Sequence, residues 1–388
     1  MRQGGSDMKK VVLIPDSFKG TLSSARICEI IGGKVAEHFP DCQVVSIPVA
    51  DGGEGSVDCF LAALGGEKVR VTVKNPFFEE MEGFYGLVKG GESAVVEMAA
   101  CAGLPLAEDR KDPRRTTTYG VGELILAAAA GGVKKIIVGL GGSATNDGGC
   151  GAAAAVGVKF YNNKGKTFVP TGGTTHQIAR IDMSGRDRRL EGVEIVAMCD
   201  IDNPMYGPAG AAYVFGPQKG ADPETVRFLD EGIKHLAQVI RRDLSRELAF
   251  MPGSGAAGAM GAGMAAFFGA RLQMGIETVL DTVRFADVIA GADMIFTGEG
   301  RMDSQSLRGK AVIGVARRAR LQNVPVVVIA GGADDGIDPA YGMGVTAVFS
   351  INRLPEDFSV SRSKSAENLA LTADNILRLI KAAEEMKG

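Results

Sequence analysis

The chain has 388 residues, 45% of them hydrophobic and 23% charged, with a formal net charge of −3. That mixture fills two or three globular domains at about 150 residues each, and it carries no clustered basic excess of the kind a general nucleic-acid binder needs. Its 54 glycines follow no fixed period, which excludes collagen; they cluster between apolar runs and announce tight loops with exposed backbone N–H groups.

Residues 10–15, KVVLIP, form a short β-branched run of the kind buried on both faces of a sheet. Helical spacing follows over 23–38 through Ile27, Ile30, Ile31 and Val35, and Ser23 suits the N-cap. QVVSIPVA (43–50) predicts a second strand, and EGSVDCFLAAL (54–64) a second helix closed by Gly65 and Gly66. This alternation predicts a parallel sheet. KVRVTVK (68–74) then alternates apolar and charged residues, and EGFYGLV and SAVVEM follow with no room for helices, so 67–98 reads as an antiparallel section. A helix near 117–130, the strand KKIIVGL (134–140), the buried strand VEIVAMCD (193–200) and a long amphipathic helix at 223–247 occupy the middle. The end alternates again: ADMIFTGEG (292–300), a helix at 310–321, VPVVVIAGG (324–332), GVTAVFS (344–350) and a helix at 365–385. The expected fold is α/β with two domains. Residues 1–66 and 291–388 form a discontinuous Rossmann-like parallel-sheet domain, and 67–290 an inserted α/β domain with the antiparallel section. The strand at 134–140 suits either sheet.

The six cysteines are scattered without a CxxC pair, so neither a zinc site nor a disulfide framework is indicated. No apolar run is long enough to span a bilayer, and MRQGGSDMKK lacks the apolar stretch of a signal peptide. The expected location is cytoplasmic. The three histidines, His38, His176 and His235, fit no triad, and His38 and His235 read as solvent-facing on helices.

Loops at the carboxyl ends of parallel strands line ligand crevices. Five loops have that context: PDSFKGTLS (15–23), ADGGEGS (50–56), GLGGSATNDGGCG (139–151), CDIDNP (199–204) and TGEGRMDSQS (297–306). Lys19 is a cation between a strand and a helix start, where backbone N–H groups favour anions. The third loop is glycine-rich with hydroxyls, as a phosphate cradle is, although it is neither a Walker A sequence nor GxGxxG. Asp51, Glu54, Asp200 and Asp202 are acids at strand ends. Each also suits a helix or turn cap, and both readings stay open. The fifth loop and the helix start beyond it join Glu299, Arg301, Asp303 and Lys310. The glycine-rich stretch GSGAAGAMGAG (253–263) reads first as tight helix packing and second as a ligand loop. Taken together the loops describe phosphoryl transfer: cations and N–H groups on phosphates, carboxylates on Mg²⁺, and one acid taking a hydroxyl proton.

DSFKGTLS, PVADGGEGS, GLGGSATNDGG, CDIDNP with VFGPQKGA (214–221), and TGEGRMDSQSLRGK closely resemble, in this order from about residue 9 to the C-terminus, the bacterial glycerate kinase family, type I. The resemblance implies ATP-dependent phosphorylation of D-glycerate to 2-phosphoglycerate and ADP, in a cleft between two α/β domains. Phosphorylation to 3-phosphoglycerate is one alternative, and a dinucleotide-dependent oxidoreductase another. The expected partners are D-glycerate and ATP with Mg²⁺, no nucleic acid and no membrane, with a homodimer left open. The residues expected nearest the chemistry are Asp200 and Asp202, one near Mg²⁺ and one near the substrate hydroxyl, together with Lys19. Asp51, Glu54, Arg301 and Asp303 are expected at the substrate. Gly141, Gly142, Ser143, Asn146, Asp147 and Lys310 are expected at the phosphates.

Overall fold

The computed structural model describes residues 8–49 and 52–386. Its strands run in chain order as β1 (Lys10–Leu13), β2 (Gln43–Ser46), β3 (Gly66–Lys74), β4 (Glu80–Val88), β5 (Ser93–Glu97), β6 (Lys135–Gly139) and β7 (Lys159–Tyr161). They continue as β8 (Thr167–Phe168), β9 (Arg180–Asp182), β10 (Glu194–Met198), β11 (Arg271–Gln273), β12 (Met294–Thr297), β13 (Val326–Ala330) and β14 (Val345–Ser350). Among the described residues no helix is long and apolar enough to cross a membrane.

The chain divides into two compact units, one formed by Met1–Ala50 with Ile276–Gly388 and the other by Asp51–Gly275. The first holds a five-stranded parallel sheet in the order β14-β13-β12-β1-β2. Its strands are the β-branched runs read from the sequence. The helix Ser24–His38 begins where Ser23 Oγ accepts the Arg26 N–H, and it buries Ile27, Ile31 and Val35. These pack with Val11, Leu13, Phe296 and residues of the helix Ser365–Glu385 into one core.

The second unit holds a six-stranded sheet in the order β11-β10-β6-β5-β4-β3. β3, β4 and β5 pair antiparallel, and β5, β6, β10 and β11 parallel. The strand at 134–140 therefore belongs to this sheet, as β6. A separate antiparallel sheet, β8-β7-β9, was not expected. The helix Ala256–Phe268 is buried along its whole length. A Cβ on Gly261 would lie 2.1 Å from Gly253 O, so small residues here serve close packing.

Three expectations change. The unit boundaries lie at 50/51 and 275/276 rather than 66/67 and 290/291. The helix Ser56–Leu64 packs on β4 and β5, which places it in the second unit. In the first unit, Glu277 and Asp281 pair with Arg318, which holds the segment after 276 there. His38 and His235 are half-buried rather than solvent-facing: His38 Nε2 lies 2.8 Å from Asp374 Oδ1, and His235 Nε2 lies 2.8 Å from Ile178 O.

Candidate active site

In the second unit β6 and β10 are parallel neighbours, and the loops that follow them enclose a pocket of about 340 Å³. Gly53, Gly141, Ser143, Asp200, Phe215 and Lys219 contribute to its wall. Gly142 lines it too. The glycines permit a close approach of two loops: a Cβ on Gly141 would lie 2.5 Å from Gly53 Cα.

Most of the loop's main-chain donors are engaged within the protein. Gly141 N–H donates to Gly52 O, Ala144 N–H to Ala102 O, Gly148 N–H to Gly258 O and Gly149 N–H to Asp147 Oδ1. The positive charge of the pocket comes instead from a side chain. Lys219 ends the short helical turn Pro217–Lys219 and is 2% exposed. Its Nζ donates to Ser143 Oγ at 2.8 Å and to Thr145 O at 2.6 Å. Both acceptors are neutral, and among the described residues Lys219 forms no hydrogen-bonded ion pair. Burial pushes its pKa down to about 7, while the charge of Asp147 works the other way. A buried ammonium is costly without an anion, and this one lines a pocket.

Asp200 lies two residues beyond β10, half-buried in the same wall, and its Oδ1 accepts the Gly275 N–H at 2.7 Å. Asp202 is exposed and outside the wall, as is Glu54. Asp51 lies outside the described residues. The donors at the start of the helix Ser56–Leu64 go to Glu97, whose carboxylate accepts from Gly55 N–H and Val57 N–H and is pushed up in pKa by burial.

Two expected phosphate ligands are behind the wall. Asp147 is fully buried. Its Oδ2 accepts from Thr118 N–H, Thr118 Oγ–H and Gly151 N–H, and its Oδ1 from Gly149 N–H. It ties the starts of the helices Tyr119–Ala130 and Cys150–Ala155 together. Asn146 is equally buried, and neither amide atom has a hydrogen-bond partner among the described residues.

In the first unit the loops after β1 and β12 run side by side, with Asp16 N–H donating to Gly298 O at 2.8 Å. Lys19 is exposed on the first loop. On the second, Arg301 is held by both oxygens of Asp334, at 2.8 and 3.0 Å. Asp303 Oδ1 accepts from Gln305 N–H and Ser306 N–H, which lead into the turn Ser306–Arg308. Lys310 stands at the N-cap of the helix Ala311–Arg320, its Nζ 3.2 Å from Gln305 Oε1. Glu299, whose role the sequence leaves unspecified, is buried here. Its Oε1 lacks a hydrogen-bond partner among the described residues, and its pKa is pushed up to about 7, chiefly by burial.

Lys219, a buried cation in this wall, is not among the residues the sequence reading singled out. The only signal was its place in VFGPQKGA, a lone cation in an otherwise apolar and glycine-rich stretch.

A glycine-built wall, an ammonium without an ion-pair partner among the described residues and a strand-end carboxylate at the ends of parallel strands suit the binding of small oxyanions in an α/β protein. Residues 11–381 match the model of the glycerate kinase family. A glycerate kinase of Bacillus cereus is 45% identical over 377 residues, which are 97% of this chain and 99% of that one. A glycerate 2-kinase of Escherichia coli K12 is 43% identical over 343 residues, 88% of this chain and 90% of that one. A crystal structure from Salmonella typhimurium LT2, described as a glycerate kinase 2, has a TM-score of 0.86 at 40% identity and covers 98% of this chain and 100% of that one. The chain belongs to the glycerate kinase family.

Proposed function

We propose that the chain is an ATP-dependent kinase that phosphorylates D-glycerate on its 2-hydroxyl, releasing 2-phosphoglycerate and ADP. The observation that carries this reading is the Lys219 ammonium, buried against neutral Ser143 and Thr145 in a pocket shared with Asp200. Glycerate and ATP both bring the oxyanions that such an ammonium calls for. The choice of the 2-hydroxyl is supported by the relative named a glycerate 2-kinase.

Lys219 and Ser143 hold an oxyanion. Mg²⁺ takes oxygen ligands, keeps several waters and needs only one or two carboxylates beside phosphate oxygens. Asp200 and Asp202 supply that donor set, whereas no group of three or more His, Cys, Asp or Glu suited to a metal is gathered among the described residues. When bound, the cation would spread the charge of the transferring phosphoryl group.

The test is ADP release from ATP and Mg²⁺ with and without D-glycerate, followed by proton-coupled phosphorus NMR of the product. Glycerate-dependent ADP and a phosphate doublet, from coupling to the single proton on C2, are expected. A triplet would place the phosphate on C3, and ADP release indifferent to glycerate would end the reading.

A further inference from the structure

The stretch GSGAAGAMGAG (253–263) does more than pack. The helix Ala256–Phe268 opens on a left-handed turn, in which Ala257, Gly258 and Ala259 have φ of 55°, 67° and 66°. That conformation is costly for a residue with a Cβ, and such backbone gathers at ligand sites. Here it is held from outside. Gly258 O accepts the Gly148 N–H at 3.0 Å, and a Cβ on Gly258 would lie 2.1 Å from Thr145 O.

Between Gly255, right-handed at φ −78° and ψ −8°, and Ala257 the backbone changes hand. A change of hand turns successive N–H groups into one concavity, which suits an anion. Ala256 N–H donates to Gly253 O at 3.0 Å and Ala259 N–H to Gly255 O at 3.2 Å. The N–H groups of Ala257 and Gly258, between them, have no acceptor among the described residues outside their own helix. Both residues are buried, and buried backbone donors are ordinarily paired.

These donors belong to the cavity already described. Ala256 and Ala257 line the pocket of about 340 Å³, as do Ser143, Asp200 and Lys219, all within the second unit. Thr145 O, against which Gly258 packs, is also the oxygen that accepts from Lys219 Nζ at 2.6 Å. Turn and ammonium therefore meet at one atom. Two of the ammonium's N–H bonds go to Ser143 Oγ and Thr145 O, which leaves a third to donate. Ser143, an acceptor there, keeps its own hydroxyl proton for a ligand.

We propose that the N–H groups of Ala257 and Gly258, together with Lys219 and Ser143, seat a phosphate group in the second unit. This rests on the kinase reading, which supplies two sources of that group: the nucleotide and the phosphorylated product. A carboxylate offers two oxygens in one plane, whereas a phosphate presents three terminal oxygens to donors that arrive from a turn, a loop and a side chain. Asp200 in the same wall suits a phosphate as well, because a Mg²⁺ bound by one or two carboxylates also takes phosphate oxygens.

The test is amide NMR of the deuterated, ¹⁵N-labelled full chain, with Ala257 and Gly258 assigned by triple resonance. The chain is titrated with ADP, 2-phosphoglycerate or D-glycerate in the presence of Mg²⁺. Both amide protons should move downfield with ADP or 2-phosphoglycerate, and the ligand that acts at the lower concentration names the source of the phosphate. In Lys219→Met the midpoint should rise at least about tenfold. Amides unmoved by either phosphate ligand, or moved by D-glycerate at lower concentrations than by both, overturn the assignment, as does an unchanged midpoint in Lys219→Met. If Lys219→Met does not fold, the wild-type titrations decide. A chain that seats phosphate here but does not phosphorylate glycerate fails the kinase reading alone. An active kinase whose Ala257 and Gly258 amides ignore phosphate fails this inference alone.

Discussion

Lys219 Nζ and Ser143 Oγ, 76 residues apart in sequence, are joined by a hydrogen bond of 2.8 Å at the wall of the pocket. The bond orients an ammonium that no carboxylate among the described residues pairs with directly. Lys219→Met keeps much of the volume and removes the charge, so kcat/KM should fall about 100-fold, or roughly 2.7 kcal/mol. Ser143→Ala leaves the charge and should cost about tenfold. Thermal stability of Lys219→Met should be equal to or above wild type, because replacing a buried charge by an apolar side chain often stabilises. Wild-type kinetics in folded Lys219→Met would make the lysine a packing residue.

The same ammonium ties ligand binding to pH. The pKa of Lys219 is about 7 in the folded, ligand-free protein, against an ordinary 10.5. The unfolded chain therefore binds more protons between these values, and this group makes stability rise with pH across that window. At pH 8 the free enzyme holds Lys219 largely neutral. An arriving oxyanion favours the charged form, so binding should take up a proton. Calorimetry of D-glycerate and a non-hydrolysable ATP analogue, in two buffers of different ionisation enthalpy, measures this directly. Uptake should vanish in Lys219→Met; equal uptake in that variant would assign the proton to another group.

Asp147 was expected at the phosphates and is instead a tie within the fold, accepting from Thr118, Gly149 and Gly151. Asp147→Asn turns one acceptor oxygen into a donor that faces other donors. The loss should be about 2–4 kcal/mol, seen as a lower denaturant midpoint. Substrate KM in the folded fraction should stay near wild type. Unchanged stability with a large rise in KM would return Asp147 to the ligand.

Local patterns carried much of the fold. Ser23 as a cap and Ile27, Ile31 and Val35 as a buried stripe are short-range features, legible because cap chemistry and helical period act within a few residues. The helix Ser56–Leu64 was read correctly as a helix but given to the wrong unit, because its partners β4 and β5 come later in the chain. β7, β8 and β9 have two or three residues each, too few to show a period. At the site, Asp147 and Asp200 look alike in sequence, since both are acids beside glycines or a strand end. What separates them is Thr118, 29 residues from Asp147, which saturates one carboxylate and not the other. Lys219 escaped notice because lysine is ordinarily a surface residue, and its burial depends on partners 74 and 76 residues away.

Asp200 offers the sharpest test of the carboxylate assignment. Its Oδ1 accepts the Gly275 N–H at 2.7 Å, a bond an asparagine oxygen can also accept. Asp200→Asn therefore keeps the local structure and removes one negative charge from the pocket wall, and its melting temperature should stay close to wild type. If that charge helps hold Mg²⁺, kcat at low Mg²⁺ should fall at least about 100-fold, a loss of roughly 2.7 kcal/mol. Raising Mg²⁺ should restore part of it, because mass action repopulates a weakened cation site. Asp202 is exposed and off the wall, so Asp202→Asn should show the same Mg²⁺ dependence with a smaller loss. A loss in Asp200→Asn that no Mg²⁺ concentration relieves would assign Asp200 to the reacting groups rather than the cation. Near-normal kcat in both variants at low Mg²⁺ would make the pair structural.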